Sequence, residues 1–225
     1  PICRPNSIWF ARRCCVPAPT LHVSQHPAVL HKLAILRDKK TEPAMFRRLM
    51  EETGALMGYE VLRGLRTRKK TVRTPIGPAA GAVVDQPIVF AAVLRAGLGM
   101  IPGLLQIAPQ ARIGHIGLYR NEETLNPVRY YVRLPKDLDK SFVVLCDPML
   151  ATGGSAVEAL HILKTDKAKQ ICLLSLIASK AGVARVHREH PDVPIFTAGV
   201  DAVLNKVGYI VPGLGDAGDR LFATL

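Results

Sequence analysis

The sequence predicts an α/β domain with a mostly parallel central sheet flanked by helices, and three observations predict it. Short apolar runs lie at 88–94 (IVFAAVL), 112–119 (RIGHIGLY), 141–146 (SFVVLC), 171–178 (ICLLSLIA) and 193–200 (VPIFTAGV). Amphipathic stretches at 99–107, 154–165 and 181–190 alternate with them. Continuous Val/Ile/Leu runs belong to strands covered on both faces, the usual state of a parallel sheet between helices. Third, the unusual polar and glycine-rich residues follow strand ends: Arg95-Ala96-Gly97, Arg120-Asn121-Glu122, and Asp147-Pro148 onward. In open parallel sheets a ligand sits outside the carboxyl ends of the strands.

Taken in order, residues 1–25 (PICRPNSIWFARRCCVPAPTLHVSQ) make a poor start for a domain. They hold four prolines, three arginines and three of the five cysteines, and no acid. SIWFA is too short for a signal-peptide core. The segment reads as a disordered or non-native extension, with an organelle-targeting remnant left open, and a single domain is expected over 26–225. HPAVLHKLAILRD (26–38) carries a proline near its start and apolar residues at helical spacing. TEPAMFRRLMEETGALMGYEVLRGL (41–65) repeats that spacing, so two helices open the domain. TVRTPIGPAAGAVVD (71–85) is β-prone but broken by Pro and Gly, which predicts a β-hairpin arm rather than a core strand.

Bulk numbers set bounds. With 225 residues and 48% apolar composition the chain can bury one sizeable core. No apolar run approaches the roughly 20 residues of a membrane span. An odd number of cysteines without a C-x-x-C pair argues against a disulfide framework and for a reducing, cytoplasmic setting. Cys146 and Cys172, inside apolar runs, read as buried thiols. The net charge of +12 is uneven: residues 1–80 carry 15 basic and 5 acidic side chains, residues 81–225 carry 15 and 13. That fits a nucleic-acid-facing region, or a solvated basic surface that attracts a small anion. RTRKK (66–70) has no interleaved aromatics to stack bases, so nucleic acid is the less favoured partner. His187 and His190 (ARVHREHP) read as an exposed helix end rather than a metal pair.

The richest motif is DPMLATGGSA (147–156), between an apolar run and an amphipathic stretch. A loop of small residues entering a helix aims several backbone N–H groups at one point, and the helix dipole adds positive potential there. Gly153 and Gly154 allow close approach, and Thr152 and Ser155 add hydroxyls. A capped helix start without ligand has the same outline, but Asp147 suits it less well. A carboxylate beside a phosphate nest can accept hydrogen bonds from two vicinal hydroxyls, as on a ribose. No lysine follows the glycines, so the loop is not Walker A. GLGDAG (213–218) matches G-x-G-x-x-G, yet only seven residues follow and no βαβ unit can form around it. It reads instead as a backbone-lined ligand loop that offers Asp216.

LCDPMLATGGSA (145–156), LRAGLGM (94–100), GLYRNEETL (117–125) and YIVPGLGDAGDRLF (209–222) together resemble type I phosphoribosyltransferases, in their uracil-specific branch. The likeness runs in order from about His26 to the C-terminus. In the wider family two acids usually stand together; here the second is Pro148, as in the uracil branch. The resemblance implies transfer of 5-phosphoribosyl from 5-phosphoribosyl-1-pyrophosphate (PRPP) to uracil, giving UMP and pyrophosphate. It implies a PRPP site of Arg95, Ala96, Gly97, Arg120, Asp147, Pro148, Met149, Leu150, Ala151, Thr152, Gly153, Gly154, Ser155 and Asp216. It implies a uracil site of Tyr209, Ile210, Gly215, Asp216 and Ala217, with Arg95, Arg120, Asp147 and Asp216 as the catalytic set. Mg2+ is implied as cofactor, held mainly through PRPP and water with Asp216 indirect. Residues 120–135 are expected to supply a mobile cover in part. A homodimer or homotetramer and a GTP effector are further implications. A transferase for another base, and a pyrimidine-responsive RNA-binding regulator on the same fold, stay open at this point.

Overall fold

A computed structural model of the chain describes residues 20–120 and 127–224. The side chains of Arg120 and Pro127 lie outside the described residues. The chain opens with a short strand β1 (Leu21–Val23), then helices α1 (Pro27–Arg37) and α2 (Pro43–Val61). Each helix has proline in its first turn, where the missing N–H costs nothing. An antiparallel hairpin follows, β2 (Thr67–Arg73) and β3 (Pro78–Val84), paired only with itself among the described residues. The expected arm is therefore there, but it begins four residues earlier and takes in the basic run Arg68, Lys69, Lys70.

The alternating part runs β4 (Ile88–Leu94), α3 (Ile101–Ile107), β5 (Arg112–Arg120), β6 (Pro127–Arg133), β7 (Phe142–Cys146), β8 (Met149–Leu150), α4 (Gly154–Thr165), β9 (Gln170–Ser179), α5 (Lys180–Glu189) and β10 (Ile195–Asp201). A small hairpin, β11 (Val203–Leu204) and β12 (Ile210–Val211), and a last helix α6 (Ala217–Phe222) complete it. The main sheet has the order β1-β10-β9-β7-β4-β5-β6, with β8 pairing β9 beside β7. All its pairings are parallel except β5 with β6.

Strand residues divide between two cores. Ile88, Phe90 and Ala92 of β4, with Phe142, Val144 and Cys146 of β7, face the core shared with α1 and α2. Val89, Ala91 and Val93, with Val143 and Leu145, face the core shared with α4 and α5. This period of two explains why the central strands read as unbroken apolar runs: each face has its own helices. Cys146 and Cys172 are buried thiols, and burial pushes both well above the ordinary range.

Three features differ from the sequence expectations. Leu21–Val23, inside the segment read as an extension, forms a parallel edge strand against Ile195–Thr197. Three residues are too few to register as a periodic run. Pro127–Arg133, which no periodic run marks, is an antiparallel strand against β5, and residues 121–126 of the expected cover lie outside the described residues. His190 is not an exposed helix end: it is buried, with Nε2 3.3 Å from the Val157 carbonyl.

Candidate active site

Three strand ends meet above the sheet. β4 ends at Leu94 and passes into a 3-10 turn over Ala96–Met100; β7 ends at Cys146; β5, next to β4, ends at Arg120. Between them lies a cleft of about 280 Å³ lined by Arg95, Ala96, Asp147, the run Met149–Ala156, Asp216 and Gly218, with Val93, Leu94 and Leu118 as its apolar wall. A second hollow of about 410 Å³ adjoins it, lined by Val207–Ile210 and Gly215–Gly218, and shares Ala96, Met149, Ala151, Asp216 and Gly218 with the first. Arg95, Ser155 and Asp216, far apart in sequence, therefore face one continuous depression.

At one end, α4 starts from Gly153, whose φ of +78° and ψ of −4° put it in the left-handed region. A Cβ there would also press on the Gly182 carbonyl at 3.1 Å, so glycine is required on both counts. As N-cap it makes no side-chain capping bond; the Gly154 amide meets Thr152 Oγ1 at a long 3.5 Å, and the loop and the first residues of the helix line the cleft. The loop before it is braced from behind. Pro148 O accepts from both Leu176 N (3.0 Å) and Ile177 N (3.1 Å), and Ser179 Oγ donates to Ala151 O (2.6 Å).

Asp147 is half-buried at the strand end, with the Met149 amide as a long partner at 3.4 Å from Oδ1. Burial pushes its carboxyl up to about 7, and the Met149 amide offsets that only in part. Arg95 is about half exposed, its Nη2 3.0 Å from Asp219 Oδ1 and its guanidinium 5.7 Å from the Phe222 ring centre. Asp216 caps α6: its Oδ1 accepts from Asp219 N at 2.9 Å, and Oδ2 accepts from Tyr209 Oη at 3.4 Å. GLGDAG thus does open a helix, but a terminal one of six residues.

Not every expected residue faces the cleft. Gly97 lies behind it: a Cβ there would come within 2.5 Å of Cys146 O, so the glycine serves the close approach of the 3-10 turn to β7. Pro148 is likewise buried behind the loop. Arg120 closes β5, and its side chain lies outside the described residues. Two residues were not anticipated. Asp219 pairs with Arg95 and accepts from Thr224 Oγ1 (2.6 Å); the Thr224 hydroxyl first, then Arg95, hold its carboxyl below the usual range against desolvation. Its place in GDAGD was the available signal. Arg185 of α5 brings its Nη1 to 3.4 Å from where a Gly154 Cβ would stand. No sequence signal marks Arg185, because only the tertiary packing of α5 beside the loop brings it there.

Comparison with known proteins fits this geometry. The protein-family model described as uracil phosphoribosyltransferase matches residues 23–224. The chain belongs to the uracil phosphoribosyltransferase family. The curated uracil phosphoribosyltransferase of Dictyoglomus turgidum is 53% identical over 203 residues, covering 90% of this chain and 98% of that protein. That of Halalkalibacterium halodurans is 51% identical over 205 residues, covering 91% and 98%. Among solved structures, the AQ2163 protein from Aquifex aeolicus is similar with a TM-score of 0.87 at 40% identity, covering 91% of this chain and 98% of that one. The family match starts at residue 23, within β1, in keeping with a phosphoribosyltransferase domain that begins before His26.

Proposed function

We propose that this chain is a uracil phosphoribosyltransferase enzyme that transfers 5-phosphoribosyl from PRPP to uracil and releases pyrophosphate. The observation that carries the reading is one depression with a phosphate nest at one end and a side-chain-poor loop at the other. The 5′-phosphate lies on the loop Ala151–Ser155, on the amides that follow Ala151 and the hydroxyls of Thr152 and Ser155; the Ala151 amide itself donates to Met149 O at 2.9 Å. Arg185 adds positive charge beside that nest. Asp147 holds the ribose hydroxyls. Its raised pKa suits this task, because a poorly solvated carboxylate gains most when two hydroxyl donors reach it. Arg95 leaves Asp219 to grip the leaving pyrophosphate, with Arg120 as the second cation; a guanidinium fork matches phosphate oxygens.

Uracil lies in the adjoining hollow, against the main chain of Ile210, Gly215 and Ala217 and beside Tyr209. The bond between the ribose anomeric carbon and the pyrophosphate oxygen breaks, uracil N1 bonds to that carbon, and the N1 proton is released. Charge accumulates on the leaving group, so electrostatic stabilisation there is the main catalytic contribution of the protein. Asp147 and Asp216, two carboxylates facing one cleft, fit a hard cation held otherwise by substrate oxygens and water. Mg2+ bound there would neutralise pyrophosphate charge. The exposed Val72, Ile76 and Val84 on the β2–β3 arm support self-association as a homodimer or homotetramer. Purified chain mixed with uracil, PRPP and Mg2+ should form UMP and pyrophosphate. Absence of UMP, or preference for hypoxanthine or orotate in competition, would reject this assignment.

A further inference from the structure

We propose that Arg37 and Asp201, which line neither hollow, are positioning residues for base recognition: together they set the conformation of the loop whose main chain faces the base. The proposal rests on the uracil reading of that loop.

Arg37 is the last residue of α1 and Asp201 the last of β10. Their pairing is bidentate, Nη1 to Oδ2 at 2.7 Å and Nη2 to Oδ1 at 2.8 Å. Both also reach the same residue of the base loop. Asp201 Oδ2 accepts from Gly213 N at 3.0 Å, and Arg37 Nη1 donates to Gly213 O at 2.9 Å. The amide and the carbonyl of Gly213 are thus held by one ion pair.

Gly213 is where the loop most needs outside support. Its φ is +56°, and a Cβ would lie 2.2 Å from Ile210 O, so no other residue fits. Gly215, with φ of +83°, follows two residues later. Two glycines in one short loop give the unfolded or unliganded chain wide conformational freedom. Leu214 and the flanking Ile210 anchor the loop in the core, while the amide and carbonyl of Gly213 are met by Asp201 and Arg37. From the other side Arg220 donates to Leu214 O and Asp38 O, both at 2.7 Å, and to Leu36 O, and it stacks 4.3 Å from the Phe46 ring centre. The loop is therefore tied on both flanks to the end of α1.

Bidentate arginine–carboxylate pairs are among the most directional contacts available. Asp201 is nearly buried, at 9% side-chain exposure, and Arg37 is at 25%. Burial pushes the Asp201 carboxyl up, but Arg37 and the Gly213 amide outweigh it and hold it below the usual range. Asp201 is thus ionised near neutrality, and removing either partner leaves the other uncompensated. A loop ordered in advance avoids the entropic cost of ordering when the base arrives. Loss of the pair should therefore weaken use of the base and spare use of PRPP, whose nest hangs on β7, β9 and α5.

The test uses the full chain with Arg37→Gln, Asp201→Asn and the double variant, in initial-rate kinetics that vary each substrate. KM for uracil should rise about tenfold in each, in keeping with small misplacements of recognition groups, while KM for PRPP stays within about twofold. The double variant should be no worse than the worse single, since one interaction is lost in all three. Hydrogen–deuterium exchange should quicken in 205–216 and stay unchanged in β4 and β7, which reads the loop even where turnover is low. An unchanged uracil KM, or equal rises in both KM values with exchange faster throughout, overturns the positioning role. If wild-type chain makes no UMP, the base reading and the clamp fall together; if it does and the variants match it, the clamp alone falls.

Discussion

The two ends of the cleft are built by opposite means. At one end, a loop of small residues is wedged between the ends of β7 and β9 and the start of α5, and it runs into a twelve-residue helix. At the other end, the loop between β12 and α6 has only a two-residue hairpin strand before it and a six-residue helix after it. The first loop inherits its shape from the sheet. The second is held by its own buried Leu214, by Arg220 of the helix that follows it, and by two side chains from distant parts of the chain, Arg37 and Asp201. The comparison teaches that a loop set directly on strand ends takes its shape from the sheet's own hydrogen bonds, whereas one set between short elements takes part of its shape from side chains distant in sequence.

The sharpest way to break the phosphate end is Gly154→Val. The added Cβ would meet Arg185 Nη1 at 3.4 Å and Thr152 Oγ1 at 3.7 Å, atoms that can yield, so the fold should stand. The outer methyls would cover the amides, and PRPP binding should fall by ~10²-fold or more, as on losing an oxyanion-type site. Calorimetric titration with PRPP checks this, and retained affinity would remove the nest from the mechanism. Asp216 tests the junction of the two ends. Asp216→Ala should lower kcat by ~10²-fold, and its lost cap should cost about 1 kcal/mol of stability. Asp216→Asn keeps an N-cap acceptor without the charge, so full turnover by the Asn variant would reduce Asp216 to a capping residue.

Asp147 gives a prediction in pH. Its folded pKa of about 7 lies above the ~3.9 of an unfolded aspartate. The folded state therefore disfavours the ionised form, and the stability linked to this group is greatest below about pH 4 and declines as pH rises to about 7. Asp147→Asn removes that penalty, so its Tm should exceed that of the wild type near pH 8, with the gap closing toward about pH 4. In the same variant kcat/KM for PRPP should be low and flat with pH, while that of the wild type should climb between about pH 6 and 8 as the carboxylate ionises. A wild-type profile with no rise across that interval would separate Asp147 from the ribose. The smallest effect belongs to Arg185. Its side chain is 37% exposed, and Nε also meets Glu189 at 3.3 Å. Arg185→Ala should raise KM for PRPP by about three- to fivefold at low salt, as befits an exposed charge, and the difference should shrink near 0.5 M salt. A salt-independent change would point to packing against Gly153 instead.

Much of the fold was legible because period and punctuation were strong. Ile88–Leu94 and Gly154–Thr165 were readable to the residue, since an unbroken apolar run and a glycine-to-helix junction each have one physical meaning. Leu21–Val23 and β6 were not. The first is too short, and the second, tyrosine-rich and half exposed, pairs with β5 by an antiparallel turnback that no local pattern announces. Of the residues that line the cleft, Arg95, Asp147, the glycine loop and Asp216 were legible as candidates because each breaks the pattern around it. Gly97 and Pro148 look the same in sequence, yet they serve chain crossing and strand-end bracing, which are properties of neighbours rather than of the residues themselves.

What the sequence by itself determined was a set of segments: a small-residue loop entering a helix, arginines at strand ends, a glycine-rich loop before the last helix, and a likeness strong enough to name the family. Those are local properties, set by side-chain type and backbone freedom over a few residues. Tertiary structure alone decided that the nest and the terminal loop share one depression, that Asp147 is desolvated, that Arg95 rests on Asp219, and that Arg37 and Asp201 hold Gly213. The reason is that desolvation and pairing depend on what packs from distant parts of the chain, and 164 residues separate Arg37 from Asp201.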